Sequence, residues 1–495
     1  MTQPENPTVD PTTLRKGRLG VVGIVFFVVA AAAPLVGMTG AVPVAIVAGN
    51  GAAAPGAYLV VGVTLLLFSV GYAAMSQRVT NAGAFFAYVG RGLGRNAGIA
   101  SAFVSILAYL AVQLAIYGFF GGVMAGQLPF LPWWAWSLLA WAVVTALSLL
   151  SVDVGAKVLG VLMVLELASL LVTSVAILAD GGPEGINFAA SFSPDLILVG
   201  GLAGSAGIAF AFAFASFIGF EATAIYGEES RDPKRAVPRA TYWAVGVITV
   251  LFALTAFAMV TGLGSSAVVE KSLELSGGLA DPAAVLFALA SQYVGPWMAT
   301  VMSILVLSSL FAGLLAFQNA AGRYFFAMSR GGVFPAALSR VNRRGAPQAA
   351  SLTVSVFTGV VMIVFAVFAL DPVLNLFFWF SGLAVVAIVL IELLVCVAVI
   401  VFFRRNRGAE NVFQTIIAPV LAAIGLALGE YLLMSRFGLL AGTVSDDPAA
   451  ANEPWGLSPL GWVLILLPFA LLLVGYVVSR TQRSVNEVFL RDVVS

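Results

Sequence analysis

Apolar runs of about 20 residues recur along this chain, and nothing constrains its fold more, because about 20 residues of helix cross a hydrocarbon core about 30 Å thick. Twelve runs begin near Leu19, Ala54, Ala97, Trp134, Val158, Leu196, Tyr242, Trp297, Ala350, Pro372, Ile416 and Leu460. With 61% hydrophobic and 9% charged residues, the sequence holds more apolar surface than a soluble core can bury. In lipid every backbone polar group needs an internal partner, so the spans must be helical. The chain reads as an all-α polytopic membrane protein with about 12 transmembrane helices.

An even number of spans returns both ends to one face, and the basic residues indicate which face. Of 24 Lys and Arg residues, all but Lys271 and Arg436 fall in alternate loops or at the ends. The basic face is therefore cytoplasmic and both termini lie on it. The organisation is a cytoplasmic, disordered tail over 1–18, a ten-span core over 19–407, two further spans over 408–480 and a cytoplasmic tail over 481–495. The first tail is polar, carries three prolines and lacks the apolar stretch and cleavage site of a signal peptide.

The sequence contains no histidine and one cysteine, Cys396. No intrachain disulfide, cysteine metal cluster or histidine proton shuttle can be built, so proton chemistry falls to carboxylates or lysines. A net charge of +1, with no basic run interleaved with aromatics, gives no grip on nucleic acid. Neither a metal nor a cofactor is expected.

Span 6 carries the most informative stretch, FASFIGFEATAIYGEESRDPKRAVPRA. Glu221 falls where a side chain should face hydrocarbon, and an ionisable group there is costly enough to need a reason. It works in transport, caps amides freed where the helix breaks, or sits protonated against a neighbouring helix. Beyond it Pro233 and Pro238, among charged residues, read as a turn outside the membrane. Span 1 is also interrupted: the run from Val21 meets Pro34 and then Val36, Gly37, Met38, Thr39 and Gly40, where two glycines around a threonine favour an unwound turn. Two broken spans five apart point to an inverted repeat with its site at the breaks. Helix N-termini favour a carboxylate and helix C-termini an ammonium, so facing breaks suit a zwitterion.

Three more acids lie in apolar runs. Glu166 in span 5 and Glu392 in span 10 are candidates for structural hydrogen bonds or proton traffic, while Glu430 in span 11 lies near an outer end, within reach of water. Tyr109, Gln113 and Tyr117 in span 3 share one helical face and read as packing. The stretch 265–291 reads as an outer surface helix capped by Asp281, able to act as a lid.

Together PLVGMTGAVP, NAGAFFAYVGRGLG, the span 6 stretch and AAGRYFFAMSRGGVFP followed by APQAA resemble the amino acid-polyamine-organocation family of secondary transporters over roughly residues 19–407. The resemblance implies a five-plus-five inverted repeat with broken helices 1 and 6 and two extra helices. It implies that Val36, Gly37, Met38, Thr39 and Gly40 bind substrate with Ala215, Ser216, Phe217, Ile218 and Gly219, and that Phe220 is an aromatic gate with Glu221 behind it. Many relatives carry a lysine on helix 5, between helices 1 and 8, in the region where this chain has Glu166. A carboxylate there can carry a proton, bind a cation with Ser308 and Ser309, or serve only as a hydrogen-bonding group.

The reading is a permease that imports an amino acid or related amine by alternating access with proton symport; an exchanger or polyamine carrier is the alternative. A membrane enzyme would need a nucleophile and base, or metal ligands, that these spans do not offer. Two breaks within one chain argue for alternating access over a passive channel.

Overall fold

The computed structural model describes residues 20–79, 84–150, 156–225, 227, 230–342 and 346–481. Arg15, Lys16, Arg18, Glu228, Glu229, Arg343, Arg344, Arg483 and Arg491, and with them both expected tails apart from Thr481, which ends the last helix, lie outside these residues. The described chain is helical apart from its connections and an isolated antiparallel bridge between Val444 and Leu457.

Ten helical stretches are long and apolar enough to cross a membrane. One of them, Val21–Ser76, contains two spans, and Trp133–Leu150 is a shorter apolar helix. The twelve spans are thus 21–50 (span 1), Ala54–Ser76, Arg95–Gln127, Trp133–Leu150, Ala156–Asp180, Ala206–Ile225 (span 6), Pro233–Leu263, Pro296–Arg330, Gln348–Val367, Pro372–Arg405 (span 10), Phe413–Ser435 and Pro459–Thr481. This is an integral, multi-pass membrane protein, and the interrupted spans stand first and sixth in order.

Two starts differ from the sequence reading. Span 6 begins at Ala206 and not near Leu196, because Gly200 and Gly201 take left-handed φ of 72° and 61° that end the short preceding helix. Span 7 begins nine residues before Tyr242, at Pro233. Proline at the first helical position loses no hydrogen bond, so Pro233 starts the helix there and Pro238 is carried inside it. Asp371 gives span 10 a conventional start, its carboxylate accepting from the amides of Val373 and Leu374 at 2.8 and 2.7 Å, with Pro372 in the first turn.

At the arginine-rich end, Phe85–Leu93 forms a short helix wedged against spans 3 and 10, burying Phe85, Phe86 and Tyr88. Gly92 allows this fit, since a Cβ there would sit 2.3 Å from the Ala398 carbonyl oxygen. The opposite end carries Val268–Leu275 and Ala283–Tyr293, which rest on the second half of span 1. Asp281 makes no side-chain cap; Pro282 holds the cap position. Glu184 ties the loops at this end, accepting from Ser266 Oγ, from the Ser266 amide at 3.0 Å and from Ser265 Oγ at 2.9 Å. These donors hold its carboxyl below the usual carboxylate range.

Spans 11 and 12 flank the ten-span body. Span 12 packs mainly on span 3, while span 11 is seated against spans 2, 6 and 10 through Gly425 and Gly429, which abut Thr64 and Phe214.

Candidate functional site

Span 1 breaks at Ala33, whose φ of 44° and ψ of 68° are left-handed. Pro34 favours a break here, because a proline disfavours the helical region for the residue before it and has no N–H to give, although Val42 before Pro43 stays helical. The break therefore lies six residues before Thr39, around which the sequence reading places the unwound turn. After it the chain resumes as helix: Val36 and Gly37 donate to the Ala33 carbonyl at 2.9 and 3.1 Å, and Gly37–Ala41 continues as a wide π-turn. Span 6 breaks after Phe217, with Ile218 extended and Gly219 at φ 119°.

Between the breaks lies a cavity of about 70 Å³. A water needs about 10–15 Å³ of such space, so several waters or a compact apolar group fit. Span 1 contributes Ala31, Ala32, Ala33, Val36, Gly37 and Ala41; span 6 contributes Phe212, Ala215, Ser216 and Ile218. The rest of the wall comes from spans 3, 8 and 10, with Ile116, Phe317, Phe377 and Ser381 among them.

Helical spacing decides which expected residues face this space. Because 34–41 stays coiled, residues 33, 36, 37 and 41 share one face, and 212, 215 and 216 do so in span 6. Val36, Gly37, Ala215, Ser216 and Ile218 stand at the cavity. Met38, Thr39, Gly40, Phe217 and Gly219 do not. Thr39 Oγ1 donates to the Leu35 carbonyl at 2.7 Å, Gly40 faces the Phe119 ring, and the Phe217 ring meets Phe252 edge-on at 5.5 Å. Phe220 also lies off the wall, edge-on to Phe68 at 5.8 Å. The aromatic rings at the cavity are Phe212, Phe317 and Phe377, which the sequence reading did not single out. Phe212 was within reach, four residues before Ser216 on the same face.

Glu221 is fully buried and completes the break. Its Oε2 accepts from the Gly219 amide at 2.8 Å and its Oε1 from Tyr109 Oη at 3.0 Å, while its carbonyl accepts from Tyr72 Oη at 2.6 Å. The carboxylate thereby caps the broken helix and fastens it to span 3, and the carbonyl of the same residue fastens it to span 2. Two residues of the stripe on span 3 make such ties, since Gln113 Nε2 also donates to Gln318 Oε1 of span 8 at 2.7 Å, while Tyr117 Oη has no partner among the described residues.

Glu166 is 3% exposed on span 5, which packs against spans 1 and 8 and touches Pro34–Val36 beyond the first break. Ser308 and Ser309 of span 8 are near enough to act on its carboxylate. Neither completes a well-aligned bond to it: Ser308 Oγ donates to the Leu305 carbonyl at 2.7 Å, and Ser309 Oγ has no partner. Among the described residues no three acidic, Cys or His side chains converge as metal ligands.

A sequence profile described as "Amino acid permease" matches residues 23–484, nearly the whole chain. The chain belongs to the amino acid permease family. This permease is 29% identical over 197 residues to an uncharacterised transporter of Legionella pneumophila, covering 40% of this chain and 39% of that one. It is 24% identical over 285 residues to the branched-chain amino acid permease BcaP of Bacillus subtilis, covering 56% and 51%. With the amino-acid permease RocC of the same organism it shares 24% over 414 residues, covering 78% and 83%. The permease thus matches less than two thirds of the length of the first two relatives.

Proposed function

We propose that this permease is a secondary active transporter that imports an α-amino acid with an apolar side chain, together with a proton, by alternating access. The observation that carries this reading is the position and wall of the cavity. It lies where spans 1 and 6 are both interrupted, and its wall holds two hydroxyls, Ser216 and Ser381, and no charged side chain. Interrupted helices offer amides to a carboxylate and carbonyls to an ammonium, while the apolar remainder suits an aliphatic or small aromatic group. A polyamine is disfavoured, because a second cation would be desolvated without a counter-charge. Glu221 is engaged by Gly219 and Tyr109, away from the wall. The name of the Bacillus subtilis branched-chain permease is in keeping with an apolar substrate.

Glu166 is the proposed coupling group. It is buried, it stands beside the helix that follows the first break, and a carboxylate so placed exchanges a proton as access alternates. The arginine-rich end faces the cytoplasm by the positive-inside rule, and the activity is transport, not catalysis. Uptake of labelled amino acids into proteoliposomes, with pH and sodium gradients imposed separately, tests the reading. Leucine, isoleucine, valine or phenylalanine should accumulate on an inward proton gradient. Uptake of polyamines or arginine in preference to all of these would sink it.

A further inference from the structure

Spans 10 and 11 run antiparallel side by side, and each carries a carboxylate that neither the cavity nor the span 6 break uses. Glu392 is 2% exposed and Glu430 is 7% exposed. Glu430 therefore does not reach water, contrary to its reading from the sequence, because Gly429 lets the ring of Phe214 close over this stretch of span 11. Glu392 Oε2 and both carboxylate oxygens of Glu430 accept no hydrogen bond from the protein. At about 1.5 Å per residue, Glu392 lies roughly 20 Å in from Arg405 and Glu430 roughly 26 Å in from Phe413, so the two sit at similar depth.

The surroundings of Glu392 are acidic or neutral. Glu430 and, from span 6, Glu221 are the charged groups that act on it. Tyr72 of span 2 and Cys396, one turn along span 10, are influenced by it in return. Of the other elements packed on span 10, span 3 brings Tyr109, already bonded to Glu221, and the 85–93 helix brings Tyr88, edge-on to Tyr72, and Arg91 in its last turn, which is not among the groups that act on Glu392. Span 12 carries Arg480 only at its arginine-rich end, beside Tyr476. No basic side chain is among the groups that act on Glu392.

An ionised carboxylate buried without a donor or cation is costly, and two or three that interact cannot all be ionised together. We propose that Glu392 and Glu430 form a proton-holding site across spans 10 and 11, separate from the substrate cavity, through which pH acts on the movement of span 6. Its occupant is H⁺. The link to span 6 is twofold: Glu221 at the break acts on Glu392, and span 11 packs on span 6 at Gly207, where a Cβ would lie 2.1 Å from the Leu432 carbonyl oxygen.

The test reads the proton directly and then its effect. Infrared spectra of the purified, full-length permease should contain the C=O stretch of protonated carboxylic acids at neutral pH. Glu392→Gln and Glu430→Gln should each remove part of that band and the double variant more, while Glu410→Gln, in the loop after span 10, leaves it intact. In proteoliposomes the double variant should keep the parental KM for substrate yet shift the pH profile of uptake. If the Gln variants fail to fold, Glu392→Met and Glu430→Met take their place, since Met fills the same volume without needing a proton. A band unchanged in every variant overturns the proposal, and so does a parental pH profile in the double variant. The infrared measurement needs no substrate, so its failure is distinguishable from failure of the transport reading.

Discussion

Gly219 and Ala31 meet backbone to backbone: a Cβ on Gly219 would lie 2.8 Å from Ala31 Cβ and 3.0 Å from its carbonyl carbon. This contact joins the break in span 6 to the last turn of span 1 before its own break. It makes the two interruptions one structural unit, and any movement of one is felt by the other.

Gly219→Ala should therefore be among the most damaging single-atom changes to this chain. The new Cβ overlaps Ala31, and a φ of 119° is a conformation that only glycine adopts at ease. Strain of this kind costs about 1–3 kcal/mol before the overlap is counted. A lowered melting temperature in detergent and loss of uptake are expected. Gly37→Ala, whose Cβ meets Ser216 Oγ at 3.3 Å, should fold and weaken substrate affinity instead. Parental stability and uptake in Gly219→Ala would count against this account of the breaks.

The position of the rings separates binding from packing. Phe212→Ala should raise KM, because it removes part of the cavity wall. Phe220→Ala should lower stability with a smaller effect on KM, because that ring packs on Phe68. Truncations of buried Phe typically cost about 3–5 kcal/mol, so melting curves measured beside uptake kinetics will resolve the two. The reverse pattern would restore Phe220 as a gate.

Glu166→Gln keeps the shape of the side chain and removes its exchangeable charge. Substrate binding and counterflow exchange should persist, and accumulation against a gradient driven by an inward proton gradient should be lost. Accumulation at the parental level would remove Glu166 from the coupling mechanism and turn attention to Glu221.

Outside the membrane, Arg78 at the end of span 2 pairs with Glu410 in two bonds of 2.7 and 2.8 Å. The hydrogen bond from Arg78 holds the Glu410 carboxyl below its usual range. A depressed folded value contributes stability above the unfolded value near 4.5, and this contribution is lost as pH falls through the folded one. Arg78 is 43% exposed, so the pair should contribute about 1 kcal/mol or less. Glu410→Ala should melt slightly below the parent at pH 7, and the gap should close as the solution is taken to pH values below the folded carboxyl's range. A gap that persists there would assign the loss to packing.

Much of this protein is written in local chemistry. Apolar runs reveal spans because lipid admits only helices of a set length, and arginines reveal one end of the bundle because they are expensive to bury. Pro34 and Gly219 mark breaks because one disfavours and the other permits a particular backbone conformation, although the proline's effect falls on Ala33 and not on the glycines after it. What faces the cavity was decided elsewhere. Only the resumed coil after Ala33 places Val36 and Gly37 at the wall and turns Met38 and Thr39 away. Glu221 is conspicuous in the sequence, yet its partner Tyr109 stands 112 residues earlier in the chain. Glu430 looks close to water along its own helix and is buried because spans 6 and 10 close over it. Burial is set by neighbours that sequence order does not name, so the chain by itself fixes where charges and breaks occur, and tertiary packing alone fixes what they meet.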